Sequence, residues 1–316
     1  MSSVTSKGVT RVAAFFQSPR WYRFRFHYLT LQFAGKLAWK IVRFVILFGL
    51  SYIILYPFLI KIINAFKDAS DFSDPTVRFI PKNFTFVNIL QVVQNMDYFN
   101  ALKNTAFISI LTALFQTAVS AFVGYGFARF KFKLNKPLFF FVILSLIVPP
   151  QTVIIPLFLR FRFFVGFVNL INTPLPIFIL ALTGFGIKNA LYIFLFRQFF
   201  RNMPKELEEA SYLDGGGAFT TFFRVMLPSA SSVMLIVFML SFSWQWTDTL
   251  YSSLFLTDFP VLANTAATVS TLVQSPILAS NYVSIASILA ILPLAVLYII
   301  AQRFFIQSIA QTGLVG

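Results

Sequence analysis

Few residues in this 316-residue chain can do chemistry. There is no Cys and a single His, His27, so thiolate metal sites, disulfides and His-based catalysis all lack their groups. No Gly-x-x-x-x-Gly-Lys-Ser/Thr loop occurs, so nucleotide is not hydrolysed by that route. Two polar sets remain. The first lies in otherwise apolar runs: Lys188, Gln245, Trp246 and Asp248, with Gln116 and Gln151 as weaker members. Charge in such surroundings is costly and as a rule functional. Rings stack on the apolar faces of pyranoses while amides and carboxylates take hydroxyls, so this set suits a polyhydroxylated ligand. Trp246 suits an interfacial aromatic belt equally well, and Lys188 suits snorkelling or pairing with a neighbouring helix. The second set is the segment Asn202–Gly217, which concentrates Pro, Glu and Gly.

The elements that position these residues follow from composition. Apolar and aromatic residues make up 58% of the chain and charged residues 11%, with a mean hydropathy of +0.79. Soluble domains run near 45–50% apolar and 25% charged, so a soluble enzyme, a disordered chain and a disulfide scaffold are excluded. Apolar runs of about 20 residues match a hydrocarbon core of about 30 Å. Six spans are expected near 41–63, 105–128, 137–159, 176–199, 229–250 and 283–305. Pro149, Pro150 and Pro156 should break or kink the third. An all-α polytopic membrane protein is the expected fold.

The net charge of +15 is a matter of placement. Segments 1–43, 129–136, 197–224 and 303–316 hold 17 of the 25 basic residues, and the alternate connections hold six. The positive-inside rule then places both termini in the cytoplasm, and no nucleic-acid partner is needed to explain the charge. Residues 1–40 interleave cations with Trp21, Tyr22, Phe24, Phe26 and Tyr28, as expected of an arm in the anionic headgroup layer. No apolar stretch with a small-residue cleavage site stands near Met1, so no cleavable signal peptide is expected. Segment 64–104 is the long external loop, with Asp68, Asp71, Asp74 and Asp97 offsetting its cations.

Within Asn202–Gly217, Pro204 suits the first turn of a helix, with Asn202 or Met203 as its cap. Glu206, Glu208 and Glu209 then fall where the helix dipole favours carboxylates. The triplet Gly215-Gly216-Gly217 ends the helix by supplying a left-handed backbone. Leu207, Ala210, Ser211 and Asp214 share a face with small residues at its centre, which suits docking on another protein.

Glu209-Ala210-Ser211, three residues, Gly215, nine residues, then Val225-Met226-Leu227-Pro228 resembles the EAA signature of ABC importer permeases. Ser211 stands where that family has a second Ala. The resemblance extends over roughly 75–316. Gly124-Tyr125-Gly126-Phe127-Ala128-Arg129, Ile155-Pro156-Leu157-Phe158 and Trp246-Thr247-Asp248 are similar to the carbohydrate branch, as is the tail from Gln302 to Gly316, which resembles the maltose-type G subunit. Thr247 departs from the Asn common in that family.

The resemblance implies a transmembrane domain over 41–316 that imports an oligosaccharide by alternating access. Its partners would be a second, related permease, two ATPase subunits and an external sugar-binding protein, in a bacterial cytoplasmic membrane. ATP and Mg would sit on the ATPase subunits, and this chain would bind no cofactor and break no covalent bond. Glu209, Ala210, Ser211 and Gly215 would contact the ATPase, and Leu227-Pro228 would fix the re-entry into the fifth span. An anionic sugar or glycerol phosphate is the alternative cargo, resting on Lys188. No second cation stands within a helical turn or two of Lys188, which favours the neutral sugar. A secondary transporter would need more intramembrane carboxylates than Asp248, and a membrane-embedded enzyme would need a polar cluster that is absent.

Overall fold

The computed structural model describes the backbone of residues 31–313 and the side chains of 35–302 apart from Leu272. Most of the basic arm 1–40 and the side chains of the tail motif beyond Gln302 lie outside the described residues. All regular elements among the described residues are helical, apart from two isolated bridges, Lys67 with Phe84 and Phe164 with Val168. The chain divides into two units, Met1–Ile60 and Lys61–Gly316. Helix α1 (Leu31–Ala65) supplies the described part of the first. Its side chains from Leu37 to Leu59 are almost all exposed and almost all apolar, the composition of a helix whose solvent is hydrocarbon.

The second unit begins with α2 (Ala69–Ser73) and α3 (Val87–Asn95). The expected open external loop is instead tied down by buried charges. Asp71 accepts the backbone N–H groups of Lys82 and Asn83 at 3.0 and 3.1 Å, and Lys67 donates to the carbonyls of Val77 and Arg78 at 3.2 and 2.9 Å. Lys82 hydrogen-bonds Asp74 and holds its carboxyl well below the usual carboxylate range. Sequence charge counts treat these groups as solvated, but they replace water for a folded loop's backbone.

Helix α4 (Tyr98–Arg129) is the central element. Thr105, Ser109, Thr112, Ala113, Gln116, Thr117, Ser120, Ala121 and Gly124 recur every three or four residues and are buried. Small residues on one face let neighbouring backbones approach, which is how helices hold together where lipid offers no hydrophobic drive. The third expected span is α5 (Asn135–Ser145) and, after a 3₁₀ turn Pro150–Val153, α6 (Ile154–Arg162); the two arms bend by 98° at the expected prolines. The fourth expected span, 176–199, is not one helix. It is α7 (Leu175–Leu182) and α8 (Asn189–Asn202), separated by a break. Gly184 at φ +81 donates to Ala181 O, and Phe185 N–H reaches back to Leu180 O at 2.9 Å, a Schellman stop that leaves few carbonyls bare.

After the connecting helices α9 (Glu206–Leu213), α10 (Ala218–Thr221) and α11 (Leu227–Ser229), α12 (Ser231–Trp246) departs at 77° from the α10–α11 arm. Short α13 (Leu250–Phe255) and α14 (Leu262–Thr268) lead to α15 (Pro276–Gly313). Among the described residues three helices are long and apolar enough to cross a bilayer, in α1, α4 and α15, and up to five spans result if each bent pair counts as one.

Helix α4 meets α8 closely at Gly124. A Cβ there would stand 2.6 Å from Phe196 Cβ and 3.1 Å from Ile193 O, so only glycine lets α4 lie on α8. Gly126 has open space beside it. Gly124→Ala should destabilise the protein by about 1–3 kcal/mol through overpacking. Gly126→Ala should be neutral or slightly stabilising. Thermal inactivation of the detergent-solubilised protein measures both, and equal midpoints for the two variants would refute this contact.

Candidate functional site

Helix α9 is built much as its sequence requires, with one shift at its start. Pro204 lies just outside the helix, and Lys205, in a helical conformation, occupies the cap position in place of Asn202 or Met203. No side chain caps the end, but the three glutamates lie in the first turn, where the free N–H groups favour them. At the other end Gly215 stands at φ +81 and donates to Tyr212 O at 3.0 Å, while Gly216 donates to Ser211 O at 2.9 Å. That pair of bonds is a Schellman stop, and it needs glycine at 215 because a Cβ is disfavoured at that φ.

The helix has an outer and an inner side. Glu206, Leu207, Glu209, Ala210, Leu213 and Asp214 are exposed, Leu213 at 88%. Glu208 and Ser211 turn inward. Ser211 therefore leaves the face expected to dock: its hydroxyl shares a 2.8 Å hydrogen bond with that of Thr221, which is fully buried on α10. Glu208 Oε1 stands 3.5 Å from Arg129 Nε at the end of α4, with side-chain exposures of 12% and 7%. Arg129 Nη2 also donates to Met203 O at 2.8 Å. One guanidinium thus holds both the strand of chain entering α9 and its first turn.

Behind α9 the chain widens into a π turn, Phe222–Met226, in which Leu227 N–H bonds Phe222 O five residues back. Pro228 follows, and its ring would strike the carbonyl of Arg224 in a regular helix. The wider turn is the relief, and Leu227-Pro228 stands at the 77° bend into α12 as expected.

The polar residues of the apolar runs are mostly engaged within the chain. Gln116 is buried, donates to Ile187 O at 3.2 Å and accepts from the Ser241 hydroxyl, so it ties α4 to the α7–α8 break and to α12. Gly186 is required beside it, since a Cβ there would collide with Gln116 Nε2. Trp246 is buried, donates Nε1–H to Ala290 O on α15 at 2.9 Å, and with Gln245 and Asp248 lines a small cavity. Asp248 accepts Tyr251 N–H, Ser252 N–H and the Ser252 hydroxyl at 3.3, 2.8 and 3.1 Å, capping α13. Gln245 is buried next to it. Gln116, Trp246 and Asp248 thus have partners within the chain, whereas the buried Gln245 Oε1 has none. Lys188 stands in the break between α7 and α8, starts α8 at φ +58, is exposed, and sets its ammonium 5.1 Å over the Trp244 ring. Gln151 is exposed at the 98° bend. A groove of about 880 Å³ between α4 and α12 is lined chiefly by apolar groups such as Leu114, Phe122, Leu235 and Phe238.

Residues 116–311, well over half the chain, match the model of the binding-protein-dependent transport system inner membrane component. The chain belongs to that family. It is 29% identical over 263 residues to the melibiose/raffinose/stachyose import permease protein MelC of Bacillus subtilis (strain 168), covering 82% of this chain and 91% of that one. It is 28% identical over 274 residues to the lactose transport system permease protein LacG of Rhizobium radiobacter, covering 85% and 94%. The crystal structure of a bacterial ABC transporter involved in the import of the acidic polysaccharide alginate contains a chain with the same fold, at a TM-score of 0.70 and 18% identity over 86% of this chain and 98% of that one.

As a member of this inner-membrane transport family, the chain is a multi-pass permease and not a catalyst. The structure brings Glu209, Ala210, Ser211 and Gly215 together on one short helix and its stop, with Leu227 and Pro228 at the bend behind it. The sequence pattern marked Arg129 only as the end of the Gly124–Arg129 motif, without its ion pair, and did not point to Thr221. The available signal for Arg129 was its type, since the basic residues that follow it at 131, 133 and 136 are all lysines and arginine is the residue suited to buried pairs.

The stop at Gly215 carries a prediction. Gly215→Val should cost at least about 1–2 kcal/mol, the penalty for a side chain in left-handed backbone. Hydrogen exchange of residues 206–217 should quicken by about fivefold or more, as that energy requires. Gly217, at φ −83 with open space for a Cβ, should accept Ala without change. Equal exchange in the two variants would refute the turn.

Proposed function

We propose that this chain is one permease subunit of an ATP-driven importer of a neutral oligosaccharide, working by alternating access across six spans with both termini in the cytoplasm. The observation that carries the reading is α9: a short helix stopped at both ends, fastened to the chain on its Glu208–Ser211 side and bare on its Leu207–Glu209–Ala210 side. A helix held in this way suits a lever that receives force from outside the membrane. The two ATPase subunits would press on the bare side, bind ATP and Mg themselves, and drive the movement of α4 and α12. The sixth span would be α7 and α8 taken together, and a second, related permease and an external sugar-binding protein would complete the complex.

The cargo follows from the relatives and from what faces outward. MelC and LacG carry the names of uncharged di- to tetrasaccharides, and a maltodextrin permease, MalD of Streptococcus pneumoniae, is a further relative. On this chain the Lys188 ammonium already has the Trp244 ring as a partner, which weakens its claim on an anion. Trp244, 46% exposed, offers the aromatic surface a sugar ring needs.

Uptake of a labelled neutral oligosaccharide by vesicles holding the whole complex tests this. Lys188→Gln should change that uptake by no more than about fivefold, the factor that an exposed cation–π contact of 0.5–1 kcal/mol allows. Uronate oligomers should not compete. Competition by uronates without competition by neutral glucans or fructans would overturn the assignment.

A further inference from the structure

The adjacent glutamates of α9 face opposite ways. Glu209 is exposed, whereas Glu208 is half-buried against Arg129, the last residue of α4. Arg129 also holds Met203 O, in the segment that joins α8 to α9. A single side chain therefore connects three elements: the end of α4, the end of α8 and the first turn of α9. The other end of α9 is fixed separately, by Ser211 on Thr221 of α10. From α10 the chain passes through the π turn into α12. Two links thus leave α9 in two directions, one toward α4 and one toward α12.

The two links differ in geometry. The α12 link runs through a π turn and a 77° bend near Pro228. The α4 link runs straight through a guanidinium held at two points into a 32-residue helix. We infer that Arg129 and Glu208 form the positioning joint through which displacement of α9 reaches α4, so that the pair sets how much transport each ATP turnover yields. This rests on the reading of α9 as the helix that docks on the ATPase. Arg129 donates to Met203 O and faces Glu208 across 3.5 Å with no hydrogen bond between Nε and Oε1, so the α9 side of the joint is an ion pair, and separating it at this low exposure would leave one charge unpaired.

The test uses the full complex in vesicles and reads oligosaccharide imported per ATP hydrolysed. Glu208→Gln should lower that ratio by tenfold or more while ATP hydrolysis continues. Because a lone buried Arg129 can impair folding, a second variant, Arg129→Met with Glu208→Leu, replaces the pair by apolar groups, an exchange that buried pairs often tolerate. It should assemble in normal yield and show the same low ratio. The swapped pair, Arg129→Glu with Glu208→Arg, should recover at least part of the ratio, which a merely structural role does not predict. A normal ratio in the apolar double variant, or loss of assembly in both double variants, would overturn the joint. The chain has no Cys, so Leu213→Cys gives a unique thiol on the bare side of α9. Its cross-linking to the ATPase subunit should persist in every variant. Cross-linking with a normal ratio sinks the joint alone, and absent cross-linking with Arg129 and Glu208 intact sinks the docking reading and the joint together.

Discussion

The close contact of α4 with α8 and α12 is the constraint on which the second unit depends. In hydrocarbon, apolar side chains gain nothing by leaving lipid for each other, so helices associate through backbone approach and polar contacts. Gly124 supplies the approach, admitting Phe196 where any Cβ would clash. Gln116 supplies the polar contact, reaching Ile187 and Ser241 on two different elements. The aromatic cluster of Tyr125, Tyr192, Phe196, Phe200 and Phe222 fills the space that these contacts leave near the α9 end of the unit. Arg129 is the next turn of the same helix, so the anchor of α9 inherits its position from that packing.

A second constraint shapes the breaks. A helix that stops inside or beside a membrane must satisfy its last carbonyls without water. Gly184 and Gly215 solve this identically, each with a left-handed glycine and a pair of bonds back to the last turn. Asp248 does the converse work for α13, taking N–H groups at a helix start. The π turn before Pro228 is a third solution, in which the chain widens so that a missing N–H does not leave a collision. The interruptions are thus ordered structures with their own hydrogen bonds.

Local features were legible in the residue string and long-range ones were not. The helix stop at Gly215, the break at Pro149-Pro150 and the bend at Leu227-Pro228 each rest on what one residue's backbone permits, which is a property of type and place. The interruption of 176–199 escaped notice because apolar content measures affinity for lipid and says nothing of continuity; Gly184 was visible, but its left-handed φ was not. Gln116, Trp246 and Asp248 looked like ligand groups because their partners, Ile187, Ser241, Ala290 and Ser252, cannot be paired with them by spacing. Arg129 was counted for topology and as the end of the 124–129 motif, because its partner Glu208 cannot be paired with it by spacing. Ser211, chosen as a small outward residue, turned out to use its hydroxyl inward.

These reassignments bear on where a substrate can lie. Once Gln116, Trp246 and Asp248 are engaged inside the chain and Gln245 is buried beside them, the exposed members of the candidate set are Lys188, beside Trp244, and Gln151, with Thr247 and Thr249 exposed on either side of Asp248. An oligosaccharide presents many hydroxyls, and each one stripped of water without a replacement bond costs free energy. These few groups replace only part of that water. The groove between α4 and α12 is chiefly apolar and offers hydroxyls little. On the proposed reading, the rest of the polar wall would come from another chain. What this chain itself supplies is architecture: a close-packed face on α4, satisfied breaks on either side of it, and a helix with one bare side.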